Sequence, residues 1–139
     1  MAIQISGSTI IDNNRNITSA NAITATGDIT AFFSDERLKD FEGKIENSTE
    51  KLESINGYYY RANKTAQSLG YTDELQVGVS AQELQSVLPE VIARSPISDH
   101  KDAEEEYLTV KYDKIVPLLI EAIKEQNVRI KELESKIGS

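Results

Sequence analysis

Isoleucines stand at positions 5, 11, 17, 23 and 29, a spacing of six held across the N-terminal stretch. A hexapeptide period suits neither an amphipathic helix nor one half-buried strand, whereas six-residue repeats typify stacked β-rungs in solenoids and fibres. Residues 17–22 and 23–28 fit as rungs, being small, β-tolerant or turn-forming and almost uncharged. Rungs stabilise one another only by stacking, and about three are needed for a continuous core. Residues 1–33 are therefore expected to be the end of a longer fibre, or to wind together with copies of themselves. The alternative is a disordered Ser/Thr/Asn-rich tail.

The period stops at Ser34-Asp35-Glu36-Arg37-Leu38-Lys39, where ordinary globular sequence begins. Of the net charge of −8, residues 1–33 contribute −1 through Asp12, Arg15 and Asp28, leaving −7 for residues 34–139. Such a surface repels nucleic acid, and no Arg/Lys stripe interrupts it. The chain has no cysteine, which excludes a disulfide framework and a zinc-thiolate site. It also lacks an apolar run near the ~20 residues that span a bilayer, and it opens on no signal peptide. The expectation is no membrane partner and no export.

Beyond Ser34 the pattern is α+β. Ser34 is positioned to cap a helix carrying Asp35 and Glu36 in its first turn, with a second helical stretch around Lys51, Leu52 and Ile55 ending at Gly57. Tyr58–Tyr60 and Leu75–Val79 read as strands. Ser80-Ala81-Gln82-Glu83 has the spacing of a capping box, opening a helix that turns Leu84, Val87 and Leu88 inward and stops near Pro89. Residues 94–106 read as an exposed acidic loop, and 107–112 as a short strand. In that loop His100 lacks a short-spaced partner, and the carboxylates around it match no EF-hand, so neither catalysis nor a metal is expected there.

A long helix over about 115–137 closes the chain, with Pro117 suited to its first turn. Val116, Ile123, Ile130 and Ile137 fall at a positions of a heptad, and Leu119, Gln126 and Leu133 at d. Such a seam wants partners of its own kind; the alternative is an amphipathic helix packed on its own domain. β-Branched a residues with Leu at d favour two strands, and Gln126 at d is suited to fixing register and oligomer number.

These segments in order, namely Ser34–Lys39, Val77–Glu83 with Leu88–Val91, Leu108–Tyr112 and Val116–Lys124, resemble the C-terminal intramolecular chaperone domain of phage tail fibres and tailspikes. This is the self-cleaving peptidase S74 family of endosialidase tailspikes and L-shaped tail fibres. The resemblance covers residues 34–139 and implies a homotrimer. Its client is the shaft before it, here residues 1–33, and no cofactor or metal is involved. It implies a virion tail-fibre precursor acting in the host cytoplasm during assembly, with the chaperone part released by cleavage. By the same resemblance Ser34 is the nucleophile, Lys39 the general base, and the bond between Phe33 and Ser34 the one cut.

The chemistry demands that the lysine lose basicity, from ~10.4 toward ~7–8, before it can take a serine proton. Burial and a neighbouring cation act in that direction, with Arg37 as candidate neighbour. Five residues of helix turn through about 500°, so Ser34 must lie outside the helix to meet Lys39. The competing expectation is a non-cleaving trimerisation tip, or one that contacts a receptor.

Overall fold

The computed structural model describes residues 3–17, 22–30 and 34–138, in two units that divide after Glu42. In the first unit β1 (Ile3–Ile5) and β2 (Ser8–Ile11) form an antiparallel hairpin. Its two-residue turn, Ser6-Gly7, has positive φ at both positions (51° and 82°), the primed geometry that matches strand twist. Beyond β2, Asp12 accepts from the backbone N–H groups of Asn14 and Asn16 and from the Asn16 amide, and the chain folds back to bridge Ile17 to Ile11. Within one chain the six-residue spacing thus produces antiparallel reversals.

The second expected rung, 23–28, is irregular, and most of the first lies outside the described residues. Ile5, Ile17, Ile23 and Ile29 all stay exposed. A rung has no hydrogen-bonding neighbour until another layer or another copy supplies one.

The second unit is α+β. β3 (Gly57–Tyr60) pairs antiparallel with β4 (Gln76–Val79), Tyr59 lying opposite Val77. β5 (Ile92–Arg94) pairs likewise with β6 (Leu108–Val110). Four α-helices accompany them: α1 (Ser48–Glu53), α2 (Lys64–Ser68), α3 (Ala81–Val87) and α4 (Val116–Ile137). The core is small. Leu84 and Leu88 around α3, Val91 and Leu118 are buried together, with Ile45, Leu52, Ile55, Val79 and Val110 packed around them.

Three local expectations change. The helix after Ser34 is only a 3₁₀ turn, Glu36–Leu38, and it is Asp35 rather than Ser34 that caps it, accepting from the Arg37 N–H. The helix expected to end at Gly57 ends at Glu53. The capping box of α3 is half made: Ser80 Oγ accepts from the Glu83 N–H, but the Glu83 carboxylate turns away. It takes the Asn56 N–H, the Asn56 amide and the Tyr58 hydroxyl at 2.6 Å, which holds its pKa below the usual carboxylate range. Helix start and strand β3 are thereby tied by one side chain.

A glutamate on α4 does the same for α1. Asn47, at its N-terminus, adopts a left-handed conformation (φ 53°) and offers no side-chain cap. The Glu125 carboxylate instead accepts from the backbone N–H groups of Ser48 and Thr49 and from the Thr49 hydroxyl, at 2.8–2.9 Å. Those bonds push its pKa down from 4.5 to about 2. A carboxyl with a depressed folded-state pKa contributes stability above its unfolded pKa, lost as pH falls through the folded one. Wild-type thermal stability should therefore fall between about pH 4.5 and 2 more steeply than that of Glu125→Gln. Parallel acid profiles for the two proteins would contradict this role.

Gly78 in β4 leaves room for a third tie. A Cβ there would stand 2.8 Å from the Tyr112 hydroxyl and 3.1 Å from the Tyr60 ring. With glycine in place, the Tyr112 hydroxyl accepts from the Val79 N–H at 3.3 Å and links β4 to the turn that precedes α4.

Candidate functional site

Ser34 sits where the incoming chain meets the 3₁₀ turn, exposed and outside the helical residues. Lys39 closes that turn: its N–H bonds the Glu36 carbonyl at 3.1 Å, its backbone is already extended, and its side chain is half-buried. A single turn thus separates the two residues, Ser34 lying before its cap Asp35 and Lys39 closing it on extended backbone. That removes the obstacle of a continuous helix, on which they would diverge by some 140°. Phe33, across the expected scissile bond, lies outside the described residues.

Arg37 is committed locally. Its guanidinium forks onto the Asp35 carboxylate through Nε and Nη2, which lowers the Asp35 pKa and raises that of Arg37. The cation expected to tune Lys39 is therefore itself paired with a carboxylate.

The acidic loop is braced rather than open. Arg94 holds Asp99 at 2.7 Å and Glu106 at 2.9 Å, and the Nδ1 of His100 accepts from the Asp102 N–H at 3.2 Å. No cluster of metal-ligating side chains occurs among the described residues.

The heptad seam lies on the free face of α4. Leu118 and Ala122 are buried and Glu125 reaches α1, so this stripe is the one facing the domain. At about 100° per residue, the seam runs roughly 100° around the helix from that stripe. Val116, Leu119, Ile123, Ile130, Leu133 and Ile137 are 41–85% exposed, and Gln126 is exposed among them. Ile120, at the e position beside them, widens the apolar face in the first heptad. The domain thus uses one stripe of α4 and leaves the other unpartnered within the chain. Sequence reasoning grouped the a and d positions of α4 but did not find Glu125. Its position on the helix gives no signal, and Asn47-Ser48-Thr49 reads locally as able to cap itself.

Residues 34–93 match the family described as chaperone of endosialidase, a match that begins at Ser34 itself. The chain is 40% identical over 104 residues to the long tail fiber protein Gp37 of Enterobacteria phage K3, covering 75% of this chain and 8% of that protein. The Gp37 of Enterobacteria phage T2 is likewise 40% identical over 104 residues, covering 75% of this chain and 7% of that protein. For the Gp37 of Enterobacteria phage M1 the figures are 32% over 105 residues, 75% and 39%. The chain therefore spans less than a tenth of the first two relatives.

Proposed function

We propose, from the match of residues 34–93 to the family described as chaperone of endosialidase, that this chain is the C-terminal intramolecular chaperone of a phage tail fibre. It assembles as a homotrimer, folds the shaft that precedes it, and then cuts itself off between Phe33 and Ser34. The observation that carries this reading is the position of Ser34. It stands at the point where the isoleucine period ends and the family match begins, exposed at the mouth of a single turn that leads to Lys39.

The chemistry follows from that placement. Lys39 takes the Ser34 hydroxyl proton, and the Ser34 oxygen attacks the Phe33 carbonyl carbon. The Phe33–Ser34 amide bond breaks, with its nitrogen receiving the proton. Water then releases the Phe33 carboxyl from the ester. Each chain turns over once.

Assembly supplies what a lone chain lacks. Winding three chains into rungs is a slow search of high contact order in which register errors are easy. A trimerising domain at the C-terminus converts it into an effectively intramolecular search. The same assembly strips water from Lys39, so that cleavage reports completed folding. After release the shaft has lost its nucleating domain and persists kinetically. The work is done on a tail-fibre precursor in the host cytoplasm.

A denaturing gel with fragment masses tests this. Folded wild-type chain should yield fragments of about 33 and 106 residues, the larger beginning at Ser34. A single intact band from folded, oligomeric protein would instead favour a tip that stays on the fibre.

A further inference from the structure

The turn between Ser34 and Lys39 is formed by Glu36, Arg37 and Leu38, none of them buried. Two backbone bonds close it, the Leu38 N–H onto the Asp35 carbonyl and the Lys39 N–H onto the Glu36 carbonyl, each at 3.1 Å. A lone 3₁₀ turn has poor hydrogen-bond geometry and no neighbouring turns to keep it wound. Here one side chain braces it. The Asp35 carboxylate accepts from the Arg37 backbone N–H at 3.0 Å, and from the Arg37 guanidinium through Nε at 2.9 Å and through Nη2. Backbone and side chain of Arg37 thus close on one carboxylate, which stands directly after Ser34. Exposed ion pairs in general contribute little, and the bidentate fork is the geometry that departs from that rule.

Winding sets reach. A residue in a 3₁₀ turn advances about 2.0 Å and an extended one about 3.3–3.6 Å, so unwinding three residues adds roughly 4 Å between the ends. A base must come within about 2.6–3.2 Å of the hydroxyl it deprotonates, or reach it through one water. The flexible stem of a lysine can follow part of that displacement, but only by giving up a fixed approach.

On the reading of Ser34 and Lys39 as the cutting pair, we propose that Asp35 is a positioning residue: by capping the turn and gripping Arg37 it holds the Ser34 hydroxyl and the Lys39 amine within reach of each other. Arg37 is then the other half of a clamp, rather than a cation that acts on Lys39 through space. The two roles differ in what they do to a pH profile of cutting. A clamp sets the height of the plateau, whereas a cation beside Lys39 sets the midpoint.

The full chain is refolded over a range of pH, with assembly followed by light scattering and fragment formation by gel. Asp35→Ala removes cap and fork together. It should lower the plateau rate by about 10- to 100-fold, the effect of misplacing a reacting group by about an ångström, and leave the midpoint where the wild type has it. Asp35→Asn keeps an oxygen for the Arg37 N–H and Arg37→Lys keeps a charge, but neither makes the fork, so each should slow cutting about two- to fivefold. Combining these two should slow it no further than the slower of them, since the fork is lost only once.

An assembled Asp35→Ala protein that cuts at the wild-type plateau would overturn the proposal. So would a shifted midpoint in Asp35→Asn, which releases Arg37 from its carboxylate and would then show Arg37 acting directly on Lys39. If Asp35→Ala does not assemble, Asp35→Asn and Arg37→Lys carry the test, and wild-type plateaus in both overturn it. Wild-type chain that assembles and never cuts would overturn the proposed function as well, an outcome set apart by the parent being as inert as its variants.

Discussion

Ile130→Asp is expected to turn the protein into a monomer and to abolish fragment formation together, although Ser34 and Lys39 are untouched. Ile130 sits at the middle of the expected seam and is 53% exposed in the single chain, outside the buried core, so the substitution removes little that the domain itself packs on. Changes at such sites usually shift a chain's own stability by less than about 0.5 kcal/mol. Assembly is affected far more. Each buried seam isoleucine contributes roughly 1.5–3 kcal/mol, and a carboxylate forced into the same layer costs more than the lost apolar contact. In a symmetric assembly every copy brings its aspartate to the same point. On the proposed mechanism it is assembly that completes the desolvation of Lys39, so a chain held as a monomer should lack the base the cut needs. Circular dichroism should show α4 intact while light scattering gives a monomer mass. A monomer that still cut at the wild-type rate would show that the dyad is complete within one chain.

Ser34→Ala is expected to leave an oligomer of unchanged thermal stability that does not cut. Since Asp35 and not Ser34 caps the 3₁₀ turn, loss of the hydroxyl leaves the local fold its cap, and the stability change should stay within about 0.5 kcal/mol. The rate should fall by about 10³-fold or more, because no neighbouring group replaces the nucleophile. Lys39→Arg should be equally inactive, since a guanidinium stays protonated and cannot act as a base. Cleavage persisting in either purified variant would remove that residue from the mechanism.

What could be read from the sequence divides along physical lines. Elements whose signal is local appear where expected: the strands at Tyr58–Tyr60 and Gln76–Val79, the helix opened by Ser80, and α4 with Pro117 in its first turn. Their propensity, capping and periodicity lie within a few residues. The ties that hold them together were hidden, because each joins residues far apart in the chain. Glu83 reaches back to Asn56 and Tyr58, Glu125 caps a helix 76 residues earlier, and Gly78 is small on account of Tyr112. At the candidate site, the sequence required Ser34 to lie outside a helix, and it does. The expected helix itself shrank to one turn, because its cap moved to Asp35 and residues 40–46 continue without helix. The exposed a and d positions of α4 were legible as one stripe because a seven-residue period needs no knowledge of what packs against it. The expected rungs are a different case: residues 3–11 form a hairpin instead, and residues 23–28 form no strand.

If assembly licenses the cut, the rate of fragment formation must depend on chain concentration. Wild-type protein refolded over a wide dilution series should cut slowly when dilute, with a rate that rises steeply as chains begin to associate and then levels off once all are assembled. The levelling should coincide with the concentration at which light scattering reports the full oligomer. A rate constant independent of concentration, down to samples that remain monomeric, would contradict it.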